Sequence, residues 1–539
     1  MSLPAADGET ASQRTETDLS EFLHSWRYFF WVLGVVLVVG LLYAEEDWRG
    51  QWAWNRYKRA MAARGQPLEL SAFVPPKVPD DQNFTMTPLL APLFESVPGT
   101  PLNFRPLDNI GLFASNYSAA LSALNVTEVG RSNSWIKART DLPAWYAAFL
   151  NSTNKPAKQK GGLAAPNVTV HEAAAGVLAK LAEAEPVYAE LQAASKLPCS
   201  RFNIHYDDEN PATILLPHLA VVKNLTQVLG LRACAELALG QTDQAFEDTE
   251  LLLHLTDACK DEPFLISQLV RMSQLALALQ PVAEGMSQWS EPQLRALQAR
   301  IARFDFCADA RRALSAERFW SSEIIEWVRR SPNRLNMLGG IYGSQPSGFE
   351  LGAVLTSAAP SSWFDCEQLN CSRMADEYLL PTIDLTTRRI SPRLGHKADE
   401  RIAGLRKRSS ASLYFHHLFF CALLLPGDSR TAQKAAFSQT AADCALIACA
   451  LERYRREHGQ FPDSLPALQP QFIQKLPHDI INGELLKYHR TETGDYVLYS
   501  VGWNESDDGG VVGVAKVEGG RPAEEGNPLS QGDWVWRLP

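Results

Sequence analysis

Apolar positions along residues 429–458 recur at helical spacing: Phe437, Cys444, Ile447, Leu451 and Tyr454 lie three to seven residues apart and share one face of a 3.6-residue period. Ser429 is placed to cap the first turn and Gly459 to end the last in a left-handed conformation, which predicts a rod of roughly 30 residues and about 45 Å. Helical spacing also dominates from Val170 to Arg330. There Thr242 is placed to cap Asp243–Asp257, and Asp261 a helix from Glu262 to about Leu279. Ser290 with Gln293 spells a capping box ahead of Leu294, Leu297, Ile301 and Phe304. Short connections between such helices make antiparallel neighbours. Ser412–Leu425 is apolar, stops at Pro426-Gly427 and predicts one buried helix, while Trp534-Val535-Trp536 alternates as a short edge strand.

A different pattern occupies Tyr28–Ala44, 17 residues without a formal charge, flanked by Trp26 and Arg27 before and Glu45, Glu46 and Trp48 after. At about 26 Å of helix it predicts a single membrane span. The rival is a cleaved signal peptide, but Leu42-Tyr43-Ala44 is a poor small-x-small site and the preceding tail is long and acidic. Trp48, Trp52, Trp54 and Tyr57, mixed with Arg49, Arg56, Lys58 and Arg59, suit either an interfacial helix or an ordinary amphipathic one. Lys and Arg counts near the span favour a body on the cytoplasmic side.

Residues 1–25 are polar and acidic and predict disorder. Pro75, Pro76, Pro79, Pro88 and Pro92 forbid a long helix and predict an extended segment wrapped over the helical body. A net charge of −10 on 539 residues argues against a nucleic-acid binder. The interrupted basic stretch Arg388–Arg408 reads as a solvated face. Nine cysteines without a tight framework suit a reducing compartment, with Cys366 and Cys371 open to a local disulfide if the body lies outside.

Three phrases carry resemblances. "GQFPDSLPAL", "KLPHD" and "GDYVLYSVGWNESDDGG" resemble the C-terminal domain of the type II secretion major pseudopilins, which implies a small sheet closing on the long helix and a body outside the inner membrane. "ACAELALGQTDQAFEDTELLLHL" resembles one tetratricopeptide-type unit, with Leu239-Gly240 ending one helix and Ala245 letting the next pack closely, although no 34-residue repeat follows. "LELSAFVPPKVPDDQNF" is similar to a group of uncharacterised bacterial single-pass membrane proteins that share the anchor and the pseudopilin-like end. No leader cleavage site precedes the apolar run, and about 385 residues separate it from the long helix, so pilus-type assembly is not implied.

Chemistry is sparse. The chain has no P-loop, nucleophile elbow or dinucleotide fingerprint, and His171-Glu172 fails as a zincin string because Ala175 stands where a second His belongs. His416 and His417 are adjacent, so helical side chains would diverge by about 100° and not share a metal. His205, Asp207 and Asp208 concentrate an imidazole and two carboxylates in one loop, a candidate catalytic group or a solvated turn. The pseudopilin resemblance implies a calcium site in the loop 500–510, with Asp507 and Asp508 at its acidic positions and Asn504 offering an amide oxygen; a plain Gly-Asp turn is the alternative.

The expectation is a mainly α protein: an N-terminal transmembrane helix, an irregular helical array and a small α+β pseudopilin-like C-terminal domain. Its segments are a polar tail (1–27), the span (28–44), an interfacial and proline-rich wrapping region (45–167), the array (168–330), an irregular connector (331–428) and the C-terminal module (429–539). The expected role is a membrane-anchored structural or protein-interaction scaffold of the cell envelope, linked to secretion, single-pass in a bacterial inner membrane with its body outside. Its expected partners are the lipid bilayer and other proteins, not nucleic acid. The alternative is a membrane-tethered hydrolase using carboxylate and His groups of the array.

Overall fold

The structure, a computed structural model, describes residues 10–66, 68–94, 139–152, 168–206, 211, 214–331, 359–428, 430–513, 517–518, 521–522 and 528–536. It is mainly helical. Its early helices are α1 (Thr10–Ala63), α2 (Leu142–Ser152), α3 (Val170–Leu181) and α4 (Glu185–Ala194). The array follows as α5 (Pro217–Ala238), α6 (Thr242–Asp257), α7 (Leu265–Glu284), α8 (Glu291–Ile301) and α9 (Phe306–Arg330). Later come α10 (Ser361–Met374), α11 (Pro392–Arg406), α12 (Ser410–Phe415), α13 (Phe419–Leu424) and α14 (Thr431–His458). The chain forms two compact units: one of Met1–Leu68, Ile325–Cys371 and Arg408–Cys421, and a larger one of Glu69–Ile324, Ser372–Lys407 and Ala422–Pro539.

In the first unit α1 runs unbroken through the apolar stretch 28–44 and begins at Thr10, inside the tail expected to lack structure. Among the described residues, however, no helix is long and apolar enough to cross a membrane. The uncharged run is 17 residues, bounded by Arg27 and Glu45, and falls short of the ~20 that a hydrocarbon core requires. The transmembrane helix, the single-pass topology and the inner-membrane location are therefore corrected. Nor do the tryptophans of 48–54 form one exposed belt, because Trp54 is buried while Trp48 and Trp52 are exposed. Gly50 lets α1 close on α10: a Cβ there would stand 2.7 Å from Ser362 O. Next to it, Asp47 Oδ1 accepts the Ser362 N–H at 2.8 Å. Trp363 fills the interior, stacked on Tyr414 at 4.9 Å with its Nε1 donating to Tyr414 O. The single helix expected over 412–425 is two short ones, interrupted where His417 takes a φ of 52°.

The second unit is built on the array. α5 and α6 form a hairpin turned by Gly240 at φ 74°, with Ala245 fully buried. Ser290 and Gln293 form their capping box at the start of α8, Gln293 Oε1 accepting from Ser290 N at 2.8 Å. Losing the Ser290 hydroxyl in Ser290→Ala is expected to cost about 1 kcal/mol, read as a shift in urea midpoint. The caps expected at Thr242 and Asp261 are not used; α7 instead starts at Leu265, whose N–H donates to Glu317 Oε1 of α9 at 2.9 Å. Helix α14 ends at Gly459 with φ 76°. It is buried on nearly every side rather than one face, which explains its alanines: small side chains at 435, 436, 441, 442, 445, 448 and 450 let neighbours approach from all directions. Beyond it an antiparallel sheet has the order β3 (Lys487–Arg490), β4 (Tyr496–Ser500), β7 (Trp534–Trp536), numbered after the hairpin of β1 (Ile383–Asp384) and β2 (Arg389–Ile390) and with the short pair β5 (Val517–Glu518) and β6 (Arg521–Pro522) between. Val535 pairs with Tyr499, so β7 is the edge strand that its alternation predicts.

Candidate functional site

A cleft of about 820 Å³ in the second unit opens where the proline-rich segment crosses the array. Residues 73–78 form one wall, the turn after α4 another, and the ends of α6 and α8 with the start of α9 the rest. Prolines 75 and 76 keep the wall extended, and a buried side-chain latch holds it: Asn83 Nδ2 donates to Arg201 O at 2.8 Å, Asn83 Oδ1 accepts from Arg201 N at 2.9 Å, and Thr85 Oγ1 donates to Arg201 O at 2.6 Å. Arg201 in turn donates from Nε to Pro75 O at 3.1 Å.

The lining is strongly cationic. Lys196, Arg201, Lys260, Arg300, Arg303 and Arg312 face only two acids, Asp257 and Asp261, and both acids are engaged. Asp257 Oδ1 lies 2.9 Å from Arg271 Nη2, and Asp261 Oδ1 lies 3.2 Å from Arg312 Nη1. Lys196, Lys260 and Arg303 are exposed and make no ion pair among the described residues. At the floor, His254 Nε2 sits 3.4 Å from Ser200 Oγ and its ring meets Phe84 edge-on at 4.5 Å. Burial, followed by Arg300, holds the imidazole down at about 4, so it is neutral at neutral pH. A base that weak does little to activate Ser200, and the carboxylate nearest in sequence, Asp257, is committed to Arg271. The cleft therefore presents an excess of positive charge beside an imidazole that is neutral at neutral pH.

None of this cleft was singled out by sequence motifs, because its cations come from separated segments. Of the sequence candidates, His205 is exposed, while Asp207 and Asp208 lie outside the described residues. The loop around Asn504, Asp507 and Asp508 does come together, but on itself. Asn504 Nδ2 donates to Asp508 Oδ2 at 2.8 Å, and Asp507 Oδ1 accepts from Tyr499 OH and Gly509 N. The organising residue is one that the motif omitted: buried Asp533 accepts the N–H groups of Asp508 and Gly510 at 3.2 and 2.7 Å. Burial of this carboxyl raises its pKa against those two hydrogen bonds. Glu172 is the N3 member of a capping box with Thr169, which accounts for the incomplete zincin string. Cys371 approaches Cys421, not Cys366, as its sulfur neighbour, with Sγ atoms 3.0 Å apart.

Among the described residues, two buried groups place His, Cys or carboxylate ligand atoms within 4.8 Å of one another: His218, Cys259 and Glu262 in the second unit, and Glu367, Cys371 and Cys421 in the first. In the former, Glu262 is occupied by His218 Nε2 at 2.8 Å and by the Ser267 hydroxyl, and the imidazole lies against Phe202 at 4.1 Å. This is a hydrogen-bonded core network pinning the start of α5 to the turn before α7.

No protein-family model, curated protein or solved structure matches this chain.

Proposed function

We propose that this chain is a protein-interaction scaffold whose helical array docks an extended acidic segment of a partner protein in the cationic cleft. The observation that carries the reading is the imbalance of six cations over two acids, with both acids neutralised by arginines. The occupant is an extended polypeptide because the array already holds one: residues 73–78 of the chain itself lie along it, fixed through backbone carbonyl and side-chain hydrogen bonds. The cleft is large enough for several side chains and too polar at its floor for an apolar ligand.

Fluorescence anisotropy with a labelled Glu-rich peptide, a Lys-rich peptide and a single-stranded oligonucleotide tests this. The acidic peptide is expected to bind more tightly than the basic one, and to weaken as salt rises. Lys196→Glu with Arg303→Glu, both exposed and outside any described ion pair, is expected to cost roughly tenfold or more in affinity, on the order of 1 kcal/mol per reversed charge near the surface. Equal binding of the two peptides, or indifference to the double reversal, would remove the cleft as a docking site. An oligonucleotide that outcompetes the acidic peptide would replace the partner class.

A further inference from the structure

We propose that Glu367, Cys371 and Cys421 form a binding site for a thiophilic divalent cation, zinc by its donor chemistry, in the interior of the first unit. Glu367 and Cys371 are four residues apart on α10 and so project from the same face on successive turns, while Cys421 comes from α13. All three are buried, and their donor atoms lie within 4.8 Å of one another.

The surroundings point the same way. Glu367 Oε1 and Oε2 each accept one backbone N–H, from Phe419 and Phe420, both at 2.9 Å. These bonds aim the carboxylate without neutralising it, and no ion pair reaches it among the described residues. Each carboxylate oxygen keeps a lone pair after accepting one hydrogen bond, so coordination remains open. A buried carboxylate without a counter-charge is costly, and a cation coordinated to it sets an opposite charge directly against it. The two sulfurs, 3.0 Å apart, would open to about 3.8 Å in a tetrahedral site with metal–sulfur bonds of about 2.3 Å, a movement within reach of small side-chain rotations. Two thiolates and one carboxylate are a borderline-soft set, which favours zinc over magnesium or calcium. On binding, each thiol gives its proton to solvent, and two thiolates, the Glu367 carboxylate and one divalent ion sum to −1, spread over three donors rather than held on one. The contrast with the His218 group is chemical: there the carboxylate is already filled by an imidazole and a hydroxyl.

The test uses the full chain, purified under reducing conditions, stripped of metal and titrated with cobalt(II) alone and then zinc. A thiolate-to-cobalt charge-transfer band that saturates at one equivalent and collapses when zinc is added is expected. The band should be lost in Cys371→Ser and in Cys421→Ser and retained in Cys259→Ser, which alters only the other buried group. Native mass spectrometry of the wild-type chain, with and without chelator, reads the same stoichiometry without relying on any variant folding. Failure of the wild-type chain to take up cobalt or zinc by both methods overturns the proposal, as does a band that survives both serine variants. So does an intact mass, after alkylation, showing Cys371 and Cys421 already joined in a disulfide in the protein as isolated, which would make them a redox pair.

Discussion

Replacing Arg271 with Met is expected to lower folding stability by about 3–5 kcal/mol, since removing one member of a buried ionic network strands the others. The side chain is almost wholly enclosed between α7, α6 and α9. Nη2 meets Asp257 at 2.9 Å and Nη1 meets Asp309 at 2.8 Å; Nε donates to Thr256 O at 3.0 Å, Nη1 also to Gln268 Oε1 at 2.6 Å, and the guanidinium lies over Phe306. Met matches the length of the stem but leaves Asp309 with Arg312 at 3.4 Å and Asp257 with the more distant Arg300 at 3.9 Å, and removes the donor to Thr256 O. Burial already pushes the Asp309 carboxyl up, against the pull of Arg271 and Arg312, so losing Arg271 would raise it further. Arg271→Lys, which keeps the charge and loses the fork, should fall between Met and the wild type. Urea unfolding of the three proteins decides it. A loss below about 1 kcal/mol for the Met variant would mean that the network contributes no more than an exposed pair does. The same substitution frees Asp257 to offset cleft cations, so residual folded protein should bind the acidic peptide less well.

The second large effect is a pH dependence. Glu236 of α5 and Asp248 of α6 share Arg232, each 3.2 Å from its Nε, while Glu185 meets Nη2 at 3.1 Å and Tyr188 covers the guanidinium. Burial holds Glu236 up at about 7, against Arg232, and burial together with the Glu236 charge raises Asp248. The unfolded chain releases the Glu236 proton near 4.5. Because the folded state keeps that proton to higher pH, the stabilisation is complete below the unfolded value and is lost as pH rises through about 7. At about 1.4 kcal/mol per pH unit, the loss over this window is about 3 kcal/mol. Glu236→Gln should remove most of that slope, so that the variant is relatively more stable at pH 8 than at pH 5. Parallel stability profiles for variant and wild type across that range would refute the assignment.

Much of the helical body was legible because its signals are local. Gly240 and Gly459 end their helices in the left-handed region, and Ser290 with Gln293 caps α8, because each needs only a few neighbouring residues to act. Local signals failed where a distant residue outcompeted them. Glu317 caps α7 in place of Asp261, and Asp533, 25 residues beyond Asp508, organises the acidic loop. The break at His417 inside an apolar run was likewise invisible to periodicity, since Leu413 before it and Leu418 after it are both buried. The apolar run near the N-terminus showed the limit of a hydropathy argument: its helix exists, but the uncharged stretch is too short for the role its composition suggested. The cleft was hidden for a topological reason. Its cations are scattered from Lys196 to Arg312, and its far wall comes from residues 73–78, so no window of sequence contains it.

That wall also sets how the protein could diversify. The wall of residues 73–78 is latched at Asn83 and Thr85, outside the stretch that faces the cleft, and held within it by Phe73 stacked on Phe319 and by the Pro75 carbonyl, which any residue would supply. Substitutions at 74–78 would therefore change the surface that lines the cleft while the latch, Phe73 and the helices beneath stay as they are, separating change in the cleft from maintenance of the fold.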